Sequence, residues 1–188
     1  MTETDIIDIF ADVVKKVPES LEIIYTDGKG KAEVIKNLSI NFIFGSGQYV
    51  KDALDTATKS DKTSPSKLPL IALYCPITEE RDSIDYFAKA KVSLVIVCSS
   101  NRDWSNEERH ITSFKNILRP IYNRFMEVLL EDDRFDWGYE GKVKHGYSEN
   151  YSYGRYGAYT EKGDALSETI DAINIKSMEI TINNPNCR

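Results

Sequence analysis

The sequence predicts one α/β (α+β) domain, residues 1–188, built as a mixed β-sheet with a long amphipathic helix packed on one face. Three observations lead there. Leu70–Cys75 and Val92–Cys98 are continuous apolar runs, the pattern of interior strands covered on both faces. Asn106–Leu130 carries an apolar stripe at helical spacing behind a strong cap. A last apolar strand, Ile173–Ile182, follows a long Tyr- and Gly-rich excursion over 135–163.

The elements follow in chain order. Ile6, Phe10, Val13, Val14 and Val17 recur at helical spacing, with Asp5 and Asp8 early and Lys15 and Lys16 late, matching the helix dipole; Pro18 closes the segment. Leu21–Tyr25 reads as a strand, and Thr26–Gly30 as a turn with the Asp-Gly hairpin signal. Leu38, Ile40, Phe42 and Phe44 alternate with Ser39 and Asn41, which predicts a strand with one buried face and one more polar face. Tyr49–Thr58 fits a short helix through Val50, Ala53, Leu54 and Ala57, and polar Lys59–Lys67 a loop within the domain. Between the two apolar runs, Thr78–Lys89 is charged, with Tyr86 and Phe87 as anchors.

Ser105-Asn106-Glu107-Glu108 is a capping box, in which the serine hydroxyl and the glutamate satisfy each other's backbone amides. The helix behind it aligns Ile111, Phe114, Ile117, Leu118, Ile121, Phe125, Val128 and Leu129. Pro120 lies inside and predicts a kink near Asn116. Trp104, just before the cap, is placed to staple the first turns. In the last strand, Ile173 and Ile175 differ in parity from Met178, Ile180 and Ile182. A β-bulge near Lys176-Ser177 brings both sets to one face.

Composition narrows the function. A net charge of −6 and no run of Lys and Arg argue against sequence-specific nucleic-acid binding. No apolar stretch approaches the ~20 residues that span a bilayer, and the polar, acidic N-terminus does not resemble a signal peptide. Cys75, Cys98 and Cys187 form no disulfide framework or zinc spacing and read as free thiols in a reducing cytoplasm. His110 and His145 have no metal-like neighbours at fixed spacing. Gly28-Lys29-Gly30-Lys31 and Gly45-Ser46-Gly47 lack the spacing of phosphate loops. Glu79-Glu80 with Asp82 and Asp85, and Glu131-Asp132-Asp133, are the groups from which carboxylate or metal chemistry could be built, although adjacent loop acids are ordinarily solvated. The expectation is a non-enzyme with no cofactor and no metal.

The excursion at 135–163 holds six Tyr, one Trp and six Gly. Glycine permits sharp backbone paths, and tyrosine offers a large amphipathic contact at low entropic cost. It is expected to extend from the domain as a loop or arm and to act as a docking surface through Trp137, Tyr139, Tyr147, Tyr151, Tyr153, Tyr156 and Tyr159. The alternative is a mobile loop that tolerates aromatics.

The order helix, strands, short helix, two core strands, long capped helix, loop and final strand, with Ile117-Leu118-Arg119-Pro120-Ile121-Tyr122 and Ala165–Ile182, resembles the tail-terminator and neck proteins of tailed bacteriophages. That resemblance implies a non-enzymatic virion subunit, made in the host cytoplasm and assembled in a ring, commonly of six. Its partners would be its own copies and other neck or tail proteins, and DNA would pass through the lumen. Two alternatives from other classes are a small carboxylate-dependent enzyme and a monomeric module whose Tyr-rich loop captures a ligand.

Overall fold

The computed structural model describes residues 5–26, 31–58, 68–81, 87–153 and 169–183. Helix α1 (Ile6–Lys16) starts where the Asp5 carboxylate accepts the Asp8 amide at 2.9 Å. Its apolar stripe of Ile6, Ile9, Phe10, Val13 and Val14 is buried. The hairpin of β1 (Glu22–Thr26) and β2 (Ala32–Lys36) forms its own two-stranded sheet. Strand β2 escapes a reading from periodicity because four of its five residues are exposed.

Among the described residues, the main sheet has six strands. Strands β3 (Asn41–Gly45), β4 (Leu70–Tyr74), β6 (Phe87–Ser99), β8 (Ile170–Asn183) and β7 (Gly146–Tyr153) lie in that spatial order, and β5 (Thr78–Arg81) pairs with the first part of β6. Strands β3 and β4 are parallel and the other pairs antiparallel, so the sheet is mixed as expected.

The apolar runs are interior because both faces of the sheet are covered. Ile71, Leu73, Leu94 and Ile96 join the main core, with α1 and the long helix. Leu70, Ala72, Val95 and Val97 join a second cluster with Val50 and Leu54 of α2 (Gly47–Thr58). The same two-sided covering changes the expectation for β3. Phe42 leans on the main core and Ile43 on the second one, while Phe44, expected to be buried, is 48% exposed at the sheet edge.

Strands β6 and β8 pair from Phe87↔Asn183 to Ser99↔Ile170, and the register shifts between Val92 and Leu94. There Ser93 faces two residues, Lys176 and Ser177. Ser177 has φ 50°, and its amide donates to Ser93 Oγ at 3.1 Å. This is the expected bulge, and it places Ile173, Ile175, Met178, Ile180 and Ile182 together in the main core.

Helix α3 is one rod of 26 residues. It begins as α-helix (Asn106–Arg109), continues as a π-helical segment (His110–Leu118) and ends as α-helix (Arg119–Glu131). The capping box is complete: Ser105 Oγ accepts the Glu108 amide at 3.2 Å and Glu108 Oε2 accepts the Ser105 amide at 2.7 Å. Proline's influence appears as a change of winding. Pro120 has no N–H and crowds the carbonyl one turn back; the wider turn immediately before it, where the Arg119 amide bonds Phe114 O, accommodates this. Phe114, Leu118, Ile121, Phe125 and Leu129 are fully buried, with Phe125 stacked against Phe10 at 6.3 Å.

The excursion departs from its expected form. Phe135 is buried and bridges Ile182, Trp137 packs on the core beside it at 5.0 Å, and 146–153 is strand β7 of the main sheet. The chain therefore does not leave the domain at residue 135. The rest of the expected arm, 154–163, lies outside the described residues.

Truncation of Phe114 at the centre of this packing should cost about 3–5 kcal/mol. Urea unfolding of Phe114→Ala measures it, and a loss below about 1 kcal/mol would contradict the assignment of α3 to the core face.

Candidate assembly surface

Strand β7 is the last strand of the sheet, and among the described residues no strand pairs with its outer side. Tyr147, Glu149 and Tyr151 alternate along it, so their side chains share one face. That face meets α3. Tyr151 lies over Phe114 with ring centroids 4.5 Å apart, and its hydroxyl is 3.1 Å from His110 Nδ1. Glu149 receives Arg119 Nε at 2.7 Å and Nη2 at 3.1 Å, one on each carboxylate oxygen, plus the Tyr147 hydroxyl at 2.7 Å. Tyr147 meets Tyr122 edge to face at 5.0 Å.

The seam continues to His145. Its Nδ1 lies 3.0 Å from Val143 O and so carries the proton, which leaves Nε2, 2.8 Å away, to accept the Tyr122 hydroxyl. Both histidines of the described chain thus hold β7 and its approach against the helix.

Charge and burial set the titration of these groups. The Arg119 guanidinium holds the Glu149 carboxyl below the usual carboxylate range. Burial pushes the Tyr147, Tyr122 and Tyr151 hydroxyls upward, and Glu149 adds to the effect on Tyr147. All three phenols therefore remain donors at neutral pH.

The expected docking residues separate into three groups. Tyr151 and Trp137 are half-buried and take part in the subunit's own packing; β7's pairing with β8 places Tyr151 and the Phe135 bridge places Trp137. Tyr139 is fully exposed at 107% and Tyr147 is 44% exposed. Tyr153 is placed by its backbone pairing with Ile170, while Tyr156 and Tyr159 lie outside the described residues. Arg119, Glu149, Tyr122 and the two histidines were not singled out as partners of the tyrosines. The period-two order Tyr147-Glu149-Tyr151 was a signal for them, obscured by the surrounding glycines.

Of the carboxylates considered for chemistry, Asp132 and Glu79 are committed to ion pairs. Asp132, 3% exposed at its side chain, takes Arg134 Nη2 at 2.6 Å and lies 3.9 Å from Lys16; hydrogen bonding to Arg134 lowers its carboxyl. Glu79 pairs with Arg81 at 2.5 Å, while Asp82 and Asp85 lie outside the described residues. Cys98 is buried with its thiol pushed up by desolvation, Cys75 is half-buried, and Cys187 lies outside the described residues. Among the described residues, no three His, Cys, Asp or Glu side chains converge as metal ligands, and no helix is long and apolar enough to cross a membrane. No protein-family model matches the chain, and no curated protein matches it.

Because its carboxyl is held below the ordinary value of 4.5, Glu149 contributes stability above that pH and loses the contribution as pH falls through its lowered value. Glu149→Gln should cost about 1–2 kcal/mol near neutral pH, the range for a partly exposed charged hydrogen bond. The difference from the parent protein should shrink towards zero below about pH 4. Thermal melts across pH check this; a difference that persists unchanged in acid would assign the effect to packing.

Proposed function

We propose that the protein is a non-enzymatic virion structural subunit, which assembles with copies of itself into a ring at the head–tail junction or tail end of a tailed bacteriophage. The observation that carries this reading is the outer edge of β7. It is a strand of Tyr, Ser, Glu and Asn, unpaired on its outer side among the described residues and held rigid on its inner side by the seam to α3. An open edge is a template for pairing with another chain. A strand fixed before it meets its partner loses little further entropy on docking.

The element order read from the sequence supports the same role. A closed ring needs two different patches on each subunit, and among the described residues the sheet ends in different strands, β3 and β7. Exposed Phe44 and Tyr49 stand near the first edge, and exposed Tyr147 stands on the second. The acidic balance suits a lumen through which DNA passes. The enzyme alternative is weaker because Asp132 and Glu79 are occupied by Arg134 and Arg81. The ligand-capturing alternative is weaker because Tyr151 and Trp137 face inward.

Sedimentation velocity with negative-stain imaging tests the reading, and rings of about six subunits are expected to grow in with concentration. Ser148→Lys, which adds an edge lysine to β7, should weaken assembly at least tenfold, about 1.4 kcal/mol, with the circular dichroism of the monomer unchanged. A protein that stays monomeric from micromolar to millimolar concentration would count against the ring.

A further inference from the structure

A small pocket opens where β1, the end of β6 and the first half of α3 meet. Its volume is about 170 Å³, and its walls are Tyr25, Ser99, Ser100, Asn101, Trp104, Thr112 and Ile117. Cofactor and drug-sized ligands occupy roughly 300–1,000 Å³, so this pocket is the size of one large side chain. Two aromatic rings and a set of hydroxyl and amide groups line it, a surface that is apolar on the sides and polar at points. Such a lining matches an amphipathic ring, with an apolar body and one hydroxyl.

Tyr139 is the most exposed of the described tyrosines and is placed to supply it. Tyr139 is 107% exposed and sits on the turn Gly138–Gly141. Gly138 and Gly141 have φ of 63° and 58°, left-handed values that glycine adopts without strain. The turn is tied at its base: the Asp136 amide donates to Thr181 O at 2.8 Å and the Gly138 amide to Asp136 Oδ1 at 2.8 Å. It closes through the Gly141 amide to Gly138 O at 3.3 Å. A fixed turn holds the ring out from the surface, which lowers the ordering cost of docking.

The knob and the pocket sit at opposite ends of the subunit. The pocket adjoins the Ser99↔Ile170 end of the β6–β8 ladder and the start of α3. The turn follows the end of α3 and is tied to Thr181, near the Phe87↔Asn183 end. Along β8, Ile170 beside the pocket and Thr181 beside the turn are eleven residues apart in extended strand, roughly 35 Å at ordinary strand rise. One copy cannot fill its own pocket across that distance. A contact between two copies that uses the knob of one and the pocket of the next is head-to-tail, the kind that closes into a ring when the rotation permits.

We infer that Tyr139 of one subunit inserts into the Tyr25–Trp104 pocket of the next, as a recurring knob-in-hole contact of the assembly. The inference rests on the ring reading above and specifies which surfaces meet. Buried aromatic anchors in pockets are the residues that dominate interface energies.

The test exploits polarity. Tyr139→Ser removes the knob and keeps the pocket; Thr112→Trp fills the pocket and keeps the knob. Should Thr112→Trp fail to fold by circular dichroism, Tyr25→Ser, which strips one wall, replaces it. Each variant alone should assemble at least tenfold more weakly than the parent protein. An equimolar mixture should give one-to-one heterodimers that grow no further, because each pair has a single intact junction. If the parent forms rings and both variants do so equally well, the knob-in-hole contact is overturned while the ring reading stands. A mixture that forms no heterodimer overturns it likewise. A parent protein that is monomeric at every concentration removes the ring reading and this contact together.

Discussion

The ladder between β6 and β8 is the constraint on which the rest of the molecule depends. Strands β4 and β5 hang from one side of β6, and β7 hangs from the far side of β8. The ladder's two ends also fix where the neighbouring segments can go. Arg109 near the start of α3 reaches Asp171 at 3.0 Å beside one end, and Asp136 and Phe135 attach to Thr181 and Ile182 near the other. A strand this long would normally carry one continuous alternation. Here Lys176 and Ser177 together oppose Ser93, and without that extra residue Met178, Ile180 and Ile182 would point away from α1 and α3.

Against this ladder α3 packs with two windings. The π-helical stretch presents Ser113, Phe114 and Leu118 to the core and ends at the last residue before Arg119-Pro120. Arg109 is buried with its guanidinium satisfied by Asp171 Oδ1, by Asn101 O at 2.7 Å and by Trp104 O at 3.2 Å. A buried charge is tolerated only with such a set of partners. These bonds tie the loop before the helix to β8, and that loop supplies Asn101 and Trp104 to the pocket wall. Structural ion pair and candidate interface are thus built from the same few residues.

The aromatic content of β7 serves two ends at once. Its inner tyrosines dock the strand to α3 through ring contacts and charge-assisted bonds, and its outer edge remains open among the described residues. A polar edge strand with little apolar burial of its own would be marginal unless fixed in this way. The same seam fixes the strand whose outer edge the proposed assembly would use.

Local chemistry settled much of this protein in its sequence. The capping box, the apolar stripe of α3, the two covered strands and the bulge at Lys176-Ser177 each depend on neighbours in the chain or on side-chain parity, and each appears where it was expected. Strands β2 and β5 were not legible because hairpin partners, not a buried face, hold them. Strand β7 was hidden for a related reason: its glycines and tyrosines read as a loop until β8 and α3 are placed on its two sides. Only the tertiary structure decided which tyrosines turn inward. Tyr151 lies over Phe114, 37 positions earlier in the chain, whereas Tyr139 stands exposed on a tied turn among the described residues. Exposure is a property of what surrounds a residue, and in this fold those surroundings come from elements distant in sequence.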